Sequence, residues 1–398
     1  MNASAVSFRT LGSIELADAL RAAKIHTRKL FDQFQAMGMD QAARVPRLTS
    51  VNPPLWELGH LAWFAEWYLL RDADSSAPDA AQRPSLLRLA DDWFNSNTVP
   101  HASRWTLDLP RAGALMTWCD EVLDRSLDKL SRAEADGPGL DPYRLVLAHE
   151  DMHGEAFLMT MQTLAIGLPA TFSYAAVHAD PYQQINFAGG TVTLGSAPDS
   201  GFVFDNEKWA HPANVAAFSV DATLISNQQY AEFVEDGGYQ RPVFWSTAGR
   251  VWLLEQERSA PRHWQRDGRQ WHCVRFGETL LLNGNEPVRH ISLFEAQAYC
   301  VWAGRRLPTE AEWEAVVCSG HPGLRWGTLW EWTCTPFAPY SGFVADAYRE
   351  YSAPWFDTHQ SVRGASFATP SRLRSPRFRN FYLPHRDDIF IGFRTCAL

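Results

Sequence analysis

Trp302-Ala-Gly-Arg-Arg-Leu-Pro-Thr-Glu-Ala-Glu-Trp-Glu314 packs a turn, a helix start and a large aromatic anchor into one short run. Pro308, Thr309 and Glu310 form a turn that caps a following helix, and Trp313 is positioned as a core anchor. Downstream, Gly327-Thr-Leu-Trp-Glu-Trp-Thr333 supplies two more anchors, Trp330 and Trp332. Around these stretches, from about residue 185 to 398, the chain is rich in Gly, Trp, Phe and Pro in short broken runs. Strand candidates are Thr191–Leu194, Val215–Val220 and Thr279–Leu282, and two helices stand out near Asn227–Glu235 and Ser292–Ala303. A chain with so little regular structure must fill its core with large side chains. The expectation is a loop-rich α+β domain in which most of the 17 tryptophans are structural.

Upstream the texture changes. To about residue 167 the chain is rich in Leu and Ala, and helical periodicity predicts helices near 13–38, 54–71, 110–134 and 140–166. In the first of them Leu16, Leu20, Ala23, Leu30 and Phe34 recur at spacings near 3.6, an apolar face that needs the other three helices as cover. A four-helix bundle is expected, with the boundary between Gly167 and Pro181, dividing the chain into 1–175 and 176–398.

The 398 residues are 46% hydrophobic and 20% charged, enough for two ordinary cores and too balanced for disorder. No run of eighteen apolar residues occurs, and Met1–Thr10 has neither the basic patch nor the apolar stretch of a secretory signal, so a soluble cytoplasmic protein without a membrane partner is expected. A net charge of −9 with no long basic run disfavours nucleic acid. The six cysteines, at 119, 273, 300, 318, 334 and 396, include no C-x-x-C pair and are expected to be reduced thiols.

The chemistry is concentrated in Leu147-Ala-His149-Glu150-Asp151-Met152-His153-Gly154-Glu155. Histidines at i and i+4 project from one helix face and can reach a single metal ion. Glu155 falls about 160° around the helix from His153, which suits a group orienting the ligands rather than a ligand. The third ligand is expected to be His60, from a helix otherwise built for burial, with Gly59 beside it permitting close helix approach. Three inward-facing histidines describe an open, catalytic site, for which Fe(II), Zn(II), Cu(II) and Ni(II) are about equally suited. The alternative is two surface histidines and one hydrogen-bonded core histidine.

The 302–314 and 327–333 stretches, with Arg363-Gly-Ala-Ser366 and the terminal Gly392-Phe-Arg394, resemble the hallmarks of the formylglycine-generating-enzyme-like, or sulfatase-modifying-factor, fold, which is C-type-lectin-like. The formylglycine-forming members use a cysteine pair near the C-terminal active-site strand, where this chain reads Arg377-Phe-Arg-Asn-Phe-Tyr-Leu383, so that activity is not expected. A DinB-like bundle with three histidines joined to this fold resembles the ergothioneine sulfoxide synthases (EgtB type) and their relatives the selenoneine synthases (SenA type). The resemblance implies that His60, His149 and His153 hold a non-haem Fe(II). It also implies that O2 is consumed in joining sulfur or selenium to the imidazole C2 of hercynine, and that the second domain completes the site.

Departures from the sulfoxide-synthase pattern bear on the substrate. Met152 stands where that family typically has Gln, and Asn380-Phe381-Tyr382 where it has Asn-Trp-Asp, which implies a more aromatic grip on the cationic substrate. The family's paired arginines, which hold a dicarboxylate thiol, correspond to a single Arg104 in the stretch 95–105. A polyhydroxylated selenosugar is satisfied by neutral donors whereas a dicarboxylate favours guanidinium pairing, so selenium is the expected chalcogen, the alternative being a sulfoxide synthase that joins a cysteine-derived thiol to hercynine and whose substrate contacts have drifted. The resemblance also implies a tyrosine proton donor, with Tyr340, Tyr348 and Tyr351 as candidates. Two other classes remain open: a DinB-type zinc thiol transferase, and a binding module without catalysis.

Overall fold

The structure is a computed structural model that describes residues 7–71, 83–170, 172 and 183–398. The first part is helical. Helix α1 (Ser13–Ala36) buries Leu16, Leu20, Ala23, Leu30 and Phe34, the predicted stripe, and adds Thr27 and Phe31. Helix α2 (Pro54–Leu70) opens with proline, whose missing N–H would be unpaired there in any case. It is buried on almost every side because it packs against both α4 (Ala112–Leu130) and α5 (Asp141–Thr163), while α1 lies along α5. The four predicted helices thus form within a few residues of their expected ends, joined by a short fifth, α3 (Ala90–Phe94), that the periodicity does not show. Among the described residues no helix is long and apolar enough to cross a membrane.

The second part is sheet-rich. In chain order its strands are β1 (Gln184–Phe187), β2 (Gly190–Leu194), β3 (His211–Val215), β4 (Phe218–Asp221), β5 (Trp264–Asp267), β6 (Gln270–Arg275) and β7 (Glu278–Leu281). There follow β8 (Arg305–Arg306), β9 (Trp330–Pro336), β10 (Gln360–Gly364), β11 (Asn380–Tyr382), β12 (Ile391–Gly392) and β13 (Cys396–Ala397). They form two four-stranded sheets, ordered β1-β4-β13-β8 and β11-β10-β9-β12, with a β2-β3 hairpin and a β5-β6-β7 meander. The run Val215–Val220 is not one strand. Gly189, at φ 77°, sits so close to the bend that a Cβ there would lie 2.7 Å from the Val215 carbonyl oxygen and 2.6 Å from the Ala217 nitrogen, and the chain turns at 216–217 to pass it.

Helices α6 (Asn227–Glu235), α8 (Leu293–Ala303) and α9 (Glu310–Cys318) each begin with a full capping box, from Ser226, Ser292 and Thr309 to the residue three further on. Between them lies α7 (Thr247–Gln256). Thr309, with Glu312, is therefore the cap of the 302–314 stretch, and the neighbouring acids serve elsewhere. Glu310 pairs with Arg379 (2.6 Å) and Arg363 (3.0 Å), and Glu314 with Arg363 and Arg377. Burial raises the Glu310 carboxyl, but the two guanidinium charges outweigh that and hold it down at about 2. Trp313, Trp330 and Trp332 are buried, and all six cysteines are free thiols.

The expected division at 175/176 falls outside the described residues. The principal apolar cluster runs through both parts, including Phe157 and Leu158 of α5 and Trp330 and Phe378 beyond, while a second cluster around Ile185, Val220 and Trp313 lies within the sheet-rich part. Helix α5 is the shared element. Asp151 is gripped by Arg372 (2.5 and 2.8 Å), and Gln162 bonds the backbone of Val274 and Phe276.

Candidate metal centre

Helices α2 and α5 bring His60, His149 and His153 together, with one ring nitrogen of each within 4.8 Å of the others. The ring centroids of His60 lie 5.2 Å from His149 and 5.1 Å from His153. Two of the rings are oriented by their outer nitrogens: Nδ1 of His60 donates to the Phe94 carbonyl (2.9 Å), and Nδ1 of His153 to Glu57 Oε1 (2.8 Å). Each bond leaves Nε2 bare toward the cluster. Nε2 of His149 is buried without a hydrogen-bond partner among the described residues. Burial, with the charge of His153, pushes His60 down to about 3, and burial holds His149 well below its ordinary value. Three imidazoles converging on one point, two of them held unprotonated by burial and one with an orphaned nitrogen, fit a divalent transition metal.

Aromatic rings wall the site. Trp56 stacks on His60 at 5.1 Å and 8°, and Phe64 on His149 at 3.5 Å and 3°. Gly59 has a more specific role than helix approach: a Cβ there would meet the Phe94 ring at 2.3 Å, so the missing side chain admits the residue whose carbonyl orients His60.

Glu155 differs from its expected role. It orients no histidine; its buried carboxylate accepts from Trp330 Nε1 (2.8 Å), Ser366 Oγ (2.5 Å) and Thr369 Oγ1 (2.6 Å), all in the second part. Its rotation around α5 away from His153 faces it there. The orienting carboxylate is Glu57, which sequence reasoning missed. Its signal is an acid one turn before His60 on a helix with almost no polar face. Burial raises the Glu57 carboxyl, but the hydrogen bond and charge of His153 and the bond from Asn52 bring it below its ordinary value.

The candidate substrate residues are spread more widely. Met152 is half-buried beside His153 and packs on the core. The Arg104 guanidinium lies 3.7 Å over the Trp56 ring and donates to Asn52 Oδ1 (2.7 Å). Phe381 stacks on Phe337 (4.2 Å), whereas Tyr382 lies under Arg386 (5.6 Å). Successive strand residues face opposite sides, so Phe381 and Tyr382 do not form one aromatic wall. Asn380 Oδ1 accepts from the Phe381 N–H (2.8 Å).

Of the three tyrosines, Tyr348 comes to the centre, its ring 6.2 Å from His149 and 5.0 Å from Phe64. Tyr351 stands behind it at 5.7 Å, stacked on Phe204. Tyr340 packs beneath Arg379 and against His211, away from the histidines. Tyr68 and Tyr348 also line a cavity of about 820 Å³ between the two parts, whose lining includes none of the three histidines.

These features define a helical unit with a three-histidine centre, fastened through α5 to a sheet-rich domain. The sulfatase-modifying factor enzyme 1-like domain family matches residues 171–328. The hercynine oxygenase of Mycolicibacterium smegmatis is 31% identical over 438 residues, covering 95% of this chain and 97% of that protein. That of Mycobacterium tuberculosis is 32% identical over 394 residues, covering 86% and 90%. The chain belongs to the hercynine oxygenase family. Its likeness to the formylglycine-generating enzyme of Streptomyces coelicolor, 31% identical, covers 36% of this chain and 50% of that protein.

Proposed function

We propose that this protein is an Fe(II)- and O2-dependent enzyme that joins a chalcogen atom to the imidazole C2 of hercynine, with a neutral selenosugar as donor. The single observation that carries the class is the convergence of three imidazoles, one with a nitrogen left without a hydrogen-bond partner among the described residues, in a chain aligned almost end to end with hercynine oxygenases. Bound by His60, His149 and His153, Fe(II) would supply O2 activation. The protein's own contribution is orientation and protection: Glu57 and the Phe94 carbonyl fix the ring tautomers, and the Trp56 and Phe64 faces exclude water. Tyr348 is the residue placed to hold a proton beside the centre.

The selenium reading rests on the donor side. Arg104 is the single arginine of the 95–105 stretch, and its guanidinium is engaged by Asn52 and Trp56, an arrangement suited to a neutral ligand rather than a dicarboxylate. The relatives named hercynine oxygenases support oxygen-dependent chemistry on hercynine in either reading, and sulfur transfer is the second reading. In both, a DinB-like bundle within 1–175 carries the metal, residues 176–398 complete the site, the partners are small molecules alone, and the reaction takes place in the cytoplasm. The test is anaerobic loading with Fe(II), then O2 with hercynine and either a selenosugar or γ-glutamylcysteine, with products read by mass spectrometry. A selenium adduct is expected. Efficient use of γ-glutamylcysteine alone would overturn the selenium reading and leave the iron enzyme standing; O2-independent turnover would overturn both.

A further inference from the structure

Two of the three histidines are held by groups that meet at one residue. From His153 the chain of hydrogen bonds runs outward from Nδ1 to Glu57 Oε1 (2.8 Å), from Asn52 Nδ2 to Glu57 Oε2 (2.9 Å), and from the Arg104 guanidinium to Asn52 Oδ1 (2.7 Å). From His60 the contact runs through the ring of Trp56, parallel to within 8°, to the same guanidinium, whose Cζ lies 3.7 Å from that ring's centroid. Asn52 is well suited to its place, since its amide donates to a carboxylate on one side and accepts from a cation on the other. Trp56 is itself fixed, its indole N–H donating to the Trp93 carbonyl (2.6 Å).

We infer that Arg104 is a positioning residue for the three-histidine centre, acting on His153 through Asn52 and Glu57 and on His60 through Trp56. The inference rests on the reading of the centre as a metal site and deepens it. A planar guanidinium suits both tasks at once, because its edge donates in a fixed direction while its face lies flat on an indole. Lysine keeps the charge but has neither the plane nor the fork, so the two roles can be separated from simple electrostatics. The arrangement also gives Arg104 a task other than gripping a substrate carboxylate.

The test compares the full-length wild type with Arg104→Lys and Asn52→Ala, using Co(II) as probe. Metal affinity is measured by competition with a chelator, the visible absorption of the Co(II) form is recorded, and KM for the chalcogen donor is determined separately on the Fe(II) enzyme. Outer partners of metal-binding histidines change affinity by about 10- to 100-fold. Arg104→Lys is therefore expected to weaken Co(II) binding by roughly tenfold and to shift the absorption bands, with donor KM changed less than about twofold. Asn52→Ala cuts only the His153 arm and is expected to weaken binding less, which keeps the idea testable if the lysine variant folds poorly. Unchanged Co(II) affinity and spectrum in both variants, with a raised donor KM in Arg104→Lys, would overturn the inference and return Arg104 to the substrate. Failure of the wild type to take up Co(II) or Fe(II) would instead overturn the metal reading itself.

Discussion

Tyr348 is the point at which a single side chain decides between packing and chemistry. Its ring meets Phe64 and His149 on one side and Tyr351 on another, and burial raises its phenol above the ordinary range, so it stays protonated and can donate. Tyr340 is also protonated by burial, but its ring lies 3.9 Å under Arg379, whose guanidinium is tied to Glu310 in the sheet-rich part. Removing one hydroxyl from each separates the two roles. Tyr348→Phe is expected to lower kcat by about 100-fold or to divert the product, the scale of a lost proton donor. Tyr340→Phe is expected to leave kcat within about twofold. Steady-state rates with product analysis check both, and a kcat loss confined to Tyr340→Phe would remove Tyr348 from the reaction.

Helix α8 shows the same separation at the level of an element. Its capping glutamate, Glu295, accepts from the Ser292 N–H and hydroxyl (both 2.8 Å) and from Tyr239 (2.6 Å) in full burial. Burial, then the charge of Asp387, pushes its carboxyl up to about 7 from an ordinary 4.5. Because the folded value is raised, its contribution is fully present below pH 4.5 and is lost as pH climbs toward 7, where the unfolded chain has released a proton that the folded one keeps. The expected loss is about 3 kcal/mol across that window, and Glu295→Gln should abolish it while keeping the cap. Urea midpoints at pH 4.5 and 8 measure this; an unchanged pH slope in the variant would overturn the assignment. Features of this kind are local, which is why the helices near Asn227–Glu235 and Ser292–Ala303 are legible in the sequence, and why the His149/His153 pair declares itself on α5. What the sequence could not show is non-local. The break at 216–217 lies against Gly189 in the turn between β1 and β2, and the orientation of His153 depends on a glutamate 96 positions away. Glu155 was misplaced for the same reason: angle around a helix says which way a side chain faces, not what waits there.

For the whole molecule, Glu155 and Asp151 on α5 are the fasteners between the helical part and the sheet-rich part, and they lie within one turn of His149 and His153. Any loosening of this contact must move His149 and His153 relative to Tyr348, which belongs to the other part. Truncation by Glu155→Ala leaves Trp330, Ser366 and Thr369 without their shared acceptor, at a cost of about 3 kcal/mol. Stability and kcat should then fall together. Glu155→Gln differs in kind: Trp330 and Ser366 both use Oε1, which glutamine keeps, and its amide can donate to Thr369. It also removes a carboxyl whose own value is raised by burial against the pull of those three bonds, so neutrality there is tolerated. Glu155→Gln is therefore expected to stay within about 1 kcal/mol of wild type in urea unfolding and to bind metal as tightly, whereas Glu155→Ala loses stability but regains much of its metal affinity at low temperature. A fall in metal affinity in the glutamine variant equal to that caused by His153→Ala would show instead that the carboxylate reaches the metal, and the fastening role would fail.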